Sequence, residues 1–481
     1  MSTRWSRFLL IAVPACLLAL PALAQTSTTG LIEGRVRDQA GNPIKEATVS
    51  AVANRAPASA VVDAQGRYTI ANLPPGTYKV RAEAPGKAAV VQDEIVVSIN
   101  TRTHVDFTLA SGQTETVTVT AESPTIDTKS VTTGGTFKVE GLIDQIPVGR
   151  NLASTLTLAP GVASGLGTGS GNYAISGSSG LENSYIVDGV NITNTGYGGI
   201  GSYNIVYGSL GTGVTYDFLE EVQVKTGGID AEYGQATGGV INSVVKTGTN
   251  DLSGAVALYG SGYTNDFEQA DLFVGATNNA RGTWNDNAQY DLGLSVGGPI
   301  LKDKLFYFVA YNPVKTKSSA AVQAIPLPST ISNGNPALTK YDPPATYPAS
   351  VGIETQSRMS NNYAGKFTWY ATPNHRLELT AFGDPSTGDS GPQRIPTAAD
   401  GASALKNIDI FTTGGGLSSI DYGGNNYSLK YDAVFTPTFF LQAQVGRHDG
   451  KFDETSALNA SRYTDQRQLR CFLSPALCTP G

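Results

Sequence analysis

From residue 252 onward the chain is written in short runs that alternate apolar and polar residues. In YDLGLSVGG, Tyr290, Leu292, Leu294 and Val296 fall on one side, with Asp291, Gly293 and Ser295 on the other. A period of two is the mark of a β-strand with unlike faces. GAVALYG (254–260), LFYFVAY (305–311), YAGKFTWY (363–370), LELTAF (377–382), YSLKYDAVF (427–435) and FLQAQVG (440–446) repeat the pattern, giving seven strands. The connections constrain the fold most. They run long (261–289), short (297–304), long (312–362), short (371–376), long (383–426), short (436–439) and long again from 447. Outer-membrane β-barrels join strands by short periplasmic turns and long extracellular loops in this alternation, whereas a soluble sandwich has no reason to do so. Trp369, Tyr370 and Phe382, near strand ends, are expected in the aromatic girdles of such a barrel. Seven strands are fewer than the eight of the smallest single-chain bacterial barrels. Residues 249–481 are therefore expected to be the N-terminal part of an incomplete antiparallel transmembrane β-barrel. Cys471 and Cys478 would then lie in an extracellular loop, where a disulfide between them is expected.

Composition narrows the function. Gly 55 in 481 residues is rich, and charged residues at 15% are sparse, against a usual ~25%. The net charge of −7 argues against a nucleic-acid partner, which would need a basic face. Three His and three Cys, without metal-ligand spacing, give no cofactor or metal site. Residues 1–24 read as a signal peptide. Arg4 and Arg7 form the basic start, Phe8 to Leu20 the apolar core, and Ala22-Leu23-Ala24 the cleavage site. A lipoprotein signal acylated at Cys16 is the rival reading, but Cys16 sits inside the apolar run. No other stretch reaches the ~20 apolar residues of a transmembrane helix.

Residues 25–112 read as a small seven-strand antiparallel β-sandwich. Ile32, Gly34 and Val36 alternate with polar residues, as do Ala47, Val49 and Ala51. Turns fall at DQAGNP, Ala64-Gln65-Gly66 and Pro74-Pro75-Gly76, and Ile95, Val97, Ile99 and then Val105, Phe107, Leu109 supply two more strands. G-x-V-x-D at 34–38, GNPI-x-x-ATV at 41–49, D-x-x-GRY at 63–68 and L-x-PGTY-x-V at 73–80 resemble the carboxypeptidase regulatory-like domain, a prealbumin-like sandwich. His104 stands alone in this segment, so the zinc chemistry of the name has no ligand set here. Sugar binding is implied by analogy only, with Tyr68 and Tyr78 also readable as packing residues.

In residues 125–248 the texture changes to α+β. Leu142, Ile143 and Ile146 before Pro147, then Leu152, Leu156 and Leu158 before Pro160-Gly161, predict two short helical pieces. Ser184 to Val187 reads as a buried strand entering a tight Asp188-Gly189 turn, and Val240, Ile241, Val244 and Val245 as another buried strand. IPVGRN (146–151), LAPGV (158–162), SYIVDGVNIT (184–193) and EEVQVKTGGIDAEYGQATGGVINSVVKTGTN (220–250) resemble, in order and spacing, the plug domain of TonB-dependent outer-membrane receptors, especially the Oar-like branch. The resemblance marks Pro147, Arg150, Asn151, Pro160, Gly161, Asp188, Gly189, Glu221, Tyr233, Gly234, Gly238 and Gly239 as plug-motif residues.

Between these segments, within the linker 113–124, ETVTVTA resembles the TonB box of the same family, so Glu115, Thr116, Val117, Thr118, Val119, Thr120 and Ala121 are implied to contact TonB. A short alternating strand with free edges suits β-strand addition to a partner. The same residues also read as a last strand of the sandwich or an extended linker. What the resemblance implies is a mainly β protein of the outer membrane. A ligand (siderophore, carbohydrate or peptide) would bind from outside, and TonB with its inner-membrane complex would displace the plug. An Oar-like surface adhesion or assembly role, and carbohydrate binding by the sandwich, are the alternatives. No catalysis is expected: GDSGP (388–392) lacks a base and an orienter, and GLGTGSG (165–171) lacks a following helix.

Overall fold

The computed structural model describes residues 28–112, 117–120, 132–139, 150, 152–163, 172–194, 198–204, 208–211, 214–229, 233–234, 236–263, 272–273, 280–324, 352–390, 394–397, 406–409, 418–436 and 439–455. The signal peptide, the first helical piece before Pro147, Asn151, and the pair Cys471 and Cys478 lie outside the described residues, as do Glu115, Thr116 and Ala121.

The N-terminal segment forms β1 (Gly30–Asp38), β2 (Thr48–Val52), β3 (Ala58–Val61), β4 (Arg67–Leu73), β5 (Gly76–Glu83), β6 (Val90–Val97), β7 (Arg102–His104), β8 (Phe107–Leu109) and β9 (Val117–Thr120). One sheet joins β4, β1, β7 and β8, and the other runs β3-β2-β5-β6-β9. Ile32, Val49, Tyr68, Ile70, Val80, Ile95 and Phe107 meet between them. The sandwich is not wholly antiparallel, as the sequence suggested, since β7 and β8 run parallel to β1. The expected strand around Val105 is broken there. The Val105 N–H donates to the Glu33 carbonyl at 2.8 Å, and the Asp106 carboxylate accepts the Arg35 N–H at 2.7 Å. Gly34 makes this approach possible, since a Cβ there would sit 1.8 Å from the Val105 carbonyl oxygen.

Strand β9 corrects a second expectation. It does not have both edges free: it lies parallel to β6, from Val90 opposite Val117 to Asp93 opposite Thr120. Without it, β6 would leave an open ladder at the sheet edge, and the alternating Val/Thr run fits that place. The outer edge of β9 has no partner strand among the described residues.

Next come β10 (Thr133–Lys138), α1 (Leu152–Leu156), β11 (Val162–Ala163), β12 (Ala174–Ile175), β13 (Ser184–Val187), β14 (Val190–Asn191), β15 (Ser202–Asn204), β16 (Gly208–Leu210), β17 (Leu219–Gly227) and β18 (Val240–Val245). A central sheet runs β10-β17-β18-β13-β14, with β13 parallel to β18. Every residue of β13 and β18 is buried, Ser184, Asn242 and Ser243 along with the apolar Tyr185, Ile186, Val187, Val240, Ile241, Val244 and Val245. Leu152 and Leu156 bring α1 onto the same core.

The remaining strands are β19 (Ser253–Tyr263), β20 (Leu272–Phe273), β21 (Ala280–Leu301), β22 (Leu305–Ala324), β23 (Gly352–Thr372), β24 (His375–Gly383), β25 (Ser386–Ser390), β26 (Arg394–Thr397), β27 (Lys406–Asp409), β28 (Ser418–Thr436) and β29 (Phe439–Thr455). All seven runs read from the sequence lie in one antiparallel wall, β19-β21-β22-β23-β24-β28-β29. The short turns stand as expected. The long connections, however, hold strand: β21, β22 and β23 reach 22, 20 and 21 residues. A tilted span needs only about 9–11, so these hairpins project past the apolar band on the long-loop side. The wall alternates. Phe367, Trp369, Leu379 and Leu429 are exposed, whereas Lys366, Arg376, Glu378, Lys430 and Asp432 are buried on the opposite face. Apolar outside and polar inside is the pattern of a barrel in lipid. Trp369 points outward as a girdle residue should. Phe382 and Tyr370 do not: both share the inward register, Phe382 in the middle domain's core and Tyr370 edge-on to Phe306 at 6.0 Å. The outer aromatics at the short-turn rim are instead Tyr431, Phe435 and Phe439, clustered around His375.

Candidate functional site

The site is the seam where the middle domain meets the inner face of the wall. No backbone ladder joins the two: among the described strands, the central sheet and the wall are separate sheets. Phe308, Ala310, Ala364 and Phe382 of the wall complete the middle domain's apolar core. Side-chain polar contacts fix its position.

The first anchor is Asp188. Asp-Gly is the strongest two-residue hairpin signal because both residues must adopt positive φ. Asp188 (φ 46°) and Gly189 (φ 74°) do so between β13 and β14. The turn thrusts the Asp188 carboxylate at the wall. There it meets the Lys366 ammonium at 3.1 Å and the Thr380 hydroxyl at 2.9 Å, and it accepts the Val245 N–H at 3.1 Å. Its main-chain oxygen accepts from the Ser428 hydroxyl at 3.3 Å and the Gln444 amide at 2.6 Å. One residue thereby touches four consecutive wall strands, β23, β24, β28 and β29.

Arg150 is the second anchor. Its Nε donates to Asp291 of β21 at 2.7 Å, and its Nη2 is bonded to Asp217 of the middle domain. The guanidinium lies 3.7 Å from the centre of the Tyr259 ring of β19. A planar fork over an aromatic face is a geometry that arginine fits and lysine does not. Burial opposes the charge on Arg150, but the hydrogen bond to Asp291 and the two carboxylates outweigh it and raise its pKa. Asn312 extends the network, donating to Asp291 at 2.5 Å and accepting from Thr215 at 2.8 Å.

Below Asp188 the inward wall carries further buried charges. Arg376 bonds Asp432 at 2.5 Å, Glu378 lies 3.5 Å from Arg376, and Lys430 lies 3.4 Å from Asp432. The sandwich reaches this end of the wall. Lys430 donates to the Thr28 hydroxyl at 2.5 Å, Gln442 to Asn72 at 2.9 Å, and Arg55 pairs with Glu220 of β17 at 3.4 Å.

The other motif residues divide clearly. Gly238 and Gly239 are places of close approach: a Cβ on them would lie 2.5 Å from the Asn183 Oδ1 and from the Ile175 Cδ1 respectively. Asn183 Oδ1 accepts the Gly239 N–H at 2.8 Å, which ties the two segments together. Pro160 and Gly161 (φ 78°) turn the chain after α1. Tyr233 is buried against Ile186 and Val240, under the Lys225 ammonium. Gly234 has open space around it. Glu221 faces away from the wall, toward the sandwich. The sequence reading missed the wall charges Lys366, Arg376, Glu378, Lys430 and Asp432. Their signal was present: each alternates with apolar neighbours on a predicted membrane strand, so it had to face inward.

A wall with a lipid-type outer face, with a folded domain pinned to its inner face, is that of an outer-membrane β-barrel of a Gram-negative bacterium. Residues 31–110 match the carboxypeptidase regulatory-like domain, and residues 244–376 match the outer membrane beta barrel domain. The chain is similar to the TonB-dependent transporter Oar of Myxococcus xanthus, 28% identical over 464 residues, which is 91% of this chain and 40% of that protein. It therefore spans about two fifths of the length of this relative. Among solved structures it is similar to the outer membrane transporter YddB of Escherichia coli, with a TM-score of 0.42, 16% identity, and coverage of 65% of this chain and 38% of that one. The ferric enterobactin receptor PfeA of Pseudomonas aeruginosa gives a TM-score of 0.40 at 17% identity, covering 68% of this chain and 45% of that one.

Proposed function

We propose that this chain belongs to a TonB-dependent receptor that takes up a ligand from outside by displacement of its plug, without covalent catalysis. The observation that carries the reading is the seam. Asp188 and Arg150 hold the middle domain to the wall through hydrogen bonds and ion pairs that each involve a side chain, with no ladder shared among the described strands. A domain held this way can move as a body while the wall stays closed to lipid. The relative matched over 91% of this chain is named a TonB-dependent transporter, which favours the same reading.

TonB would engage Glu115 to Ala121. Among the described residues the outer edge of β9 has no partner strand, which suits strand addition, where main-chain hydrogen bonds give affinity with little demand on side chains. Pulling there would load β6 through four parallel residue pairs. The ligand would enter from the long-loop side, where Cys471 and Cys478 would form a loop disulfide. The test is binding of the periplasmic C-terminal domain of TonB to the full chain in detergent. Binding is expected, with loss in Val119→Pro, which removes a backbone donor and fixes φ. No binding to the wild type, or equal binding to a correctly inserted Val119→Pro, overturns the assignment.

A further inference from the structure

We infer that the sandwich grips the plug through Ile99 and Glu221 and holds more tightly as the periplasmic side turns acidic. The turn after β6 docks onto plug strand β17. The Ile99 N–H donates to Glu221 Oε1 at 2.8 Å, and the Ile99 carbonyl accepts from Gln223 Nε2 at 3.0 Å. Glu221 and Gln223 are two apart on one strand and so share a face. Together they read both backbone groups of a single residue, as a neighbouring strand would. Asn100 adds a bond to the Tyr233 hydroxyl at 3.4 Å, and Arg55 pairs with Glu220 alongside. This grip lies outside the seam described above and does not depend on what residues 115–121 bind.

Glu221 makes the grip sensitive to protons. It is fully buried, its Oε2 has no hydrogen-bond partner, and no cation forms an ion pair with it among the described residues. The groups facing it are few. Lys138 lies across from it on β10 but sends its ammonium to Thr77 at 3.3 Å. Glu220 is its chain neighbour, and the sandwich contributes Ser98 and the Ile99 N–H. Val244, opposite on β18, carries no charge. Burial dominates and pushes the carboxyl up to about 7, against the pull of the Ile99 N–H, Ser98 and Lys138, with Glu220 reinforcing the rise.

Once the sandwich lifts away, Glu221 meets water and returns to its usual 4.5. The docked state thus binds the proton more tightly, and docking takes one up. The grip is full below about 4.5, weakens as pH rises toward about 7, and changes no further above that. The linkage amounts to on the order of a hundredfold in the docking equilibrium.

Hydrogen–deuterium exchange on the full chain in detergent, at pH 5 and pH 8, tests this. After correction for intrinsic exchange, the peptide holding Ser98 to Asn100 should lose on the order of a hundredfold in protection at pH 8. Peptides from β5, inside the sandwich, should not change. Glu221→Gln should show the same protection at both pH values, and Glu220→Gln should keep the pH dependence. Equal protection of the wild-type turn at both pH values overturns the inference, whether or not the variants fold. So does a pH dependence that survives in Glu221→Gln.

Discussion

Asp188→Asn tests whether the plug is held by charge or merely by shape. Asparagine is nearly isosteric and tolerates the left-handed backbone that Asp188 occupies at φ 46°, so the hairpin turn should survive. The Val245 N–H can still donate to the new side-chain oxygen. What is lost is the counter-charge of Lys366, which is only 3% exposed and whose next carboxylate, Glu378, stands 3.9 Å away. Breaking a buried pair from one side costs about 3–5 kcal/mol, because the surviving charge cannot recover its hydration. Glu378 offsets part of this, so about 3 kcal/mol is expected, or roughly 150-fold in the opening equilibrium of the seam. The readout is exchange of the β18 amides, Val245 above all, in the native state at fixed pH. Asp188→Asn with Lys366→Met should recover most of the loss, since it removes the ammonium that the single variant leaves buried without its counter-charge. A change below about 0.5 kcal/mol in the single variant, or a double variant worse than the single, would refute the charge-anchor reasoning.

Arg150→Lys keeps the charge but loses the fork on Asp291 and Asp217 and the stacking over Tyr259, so plug protection near α1 should fall by about 1–3 kcal/mol in exchange measurements. Gly239→Ala would press a methyl to 2.5 Å from Ile175 Cδ1, and a loss of about 1–3 kcal/mol in urea unfolding of the plug is expected. Gly34→Ala meets main chain rather than a side chain, at 1.8 Å from the Val105 oxygen, so the pairing of β7 and β8 with β1 should be lost and thermal unfolding of the sandwich should come earlier. Thiol titration of the oxidised, unfolded mature chain should find no free thiols from Cys471 and Cys478; two per chain would exclude their disulfide.

The seven wall strands and their facing were legible in the sequence because a membrane strand must segregate apolar and polar residues at a period of two. Asp188-Gly189 announced its turn because few residue pairs accept two successive positive φ values. The buried runs of β13 and β18 were equally plain. Local rules of this kind are carried by a few adjacent residues. The place of β9 was not fixed in that way: an alternating Val/Thr run suits a free strand and an edge strand alike, and only the open ladder of β6, about 27 residues earlier in the chain, selected between them. The partners of Glu221 and Asp188 belong to the same class. Glu221 faces the backbone of Ile99, 122 residues away, and Asp188 meets Lys366, 178 residues away. A carboxylate's own neighbours cannot say whether it will end in water, beside a cation or against a bare N–H. Burial and long-range contact decide its charge and its role, and these exist only once the sandwich, the plug and the wall have closed on one another.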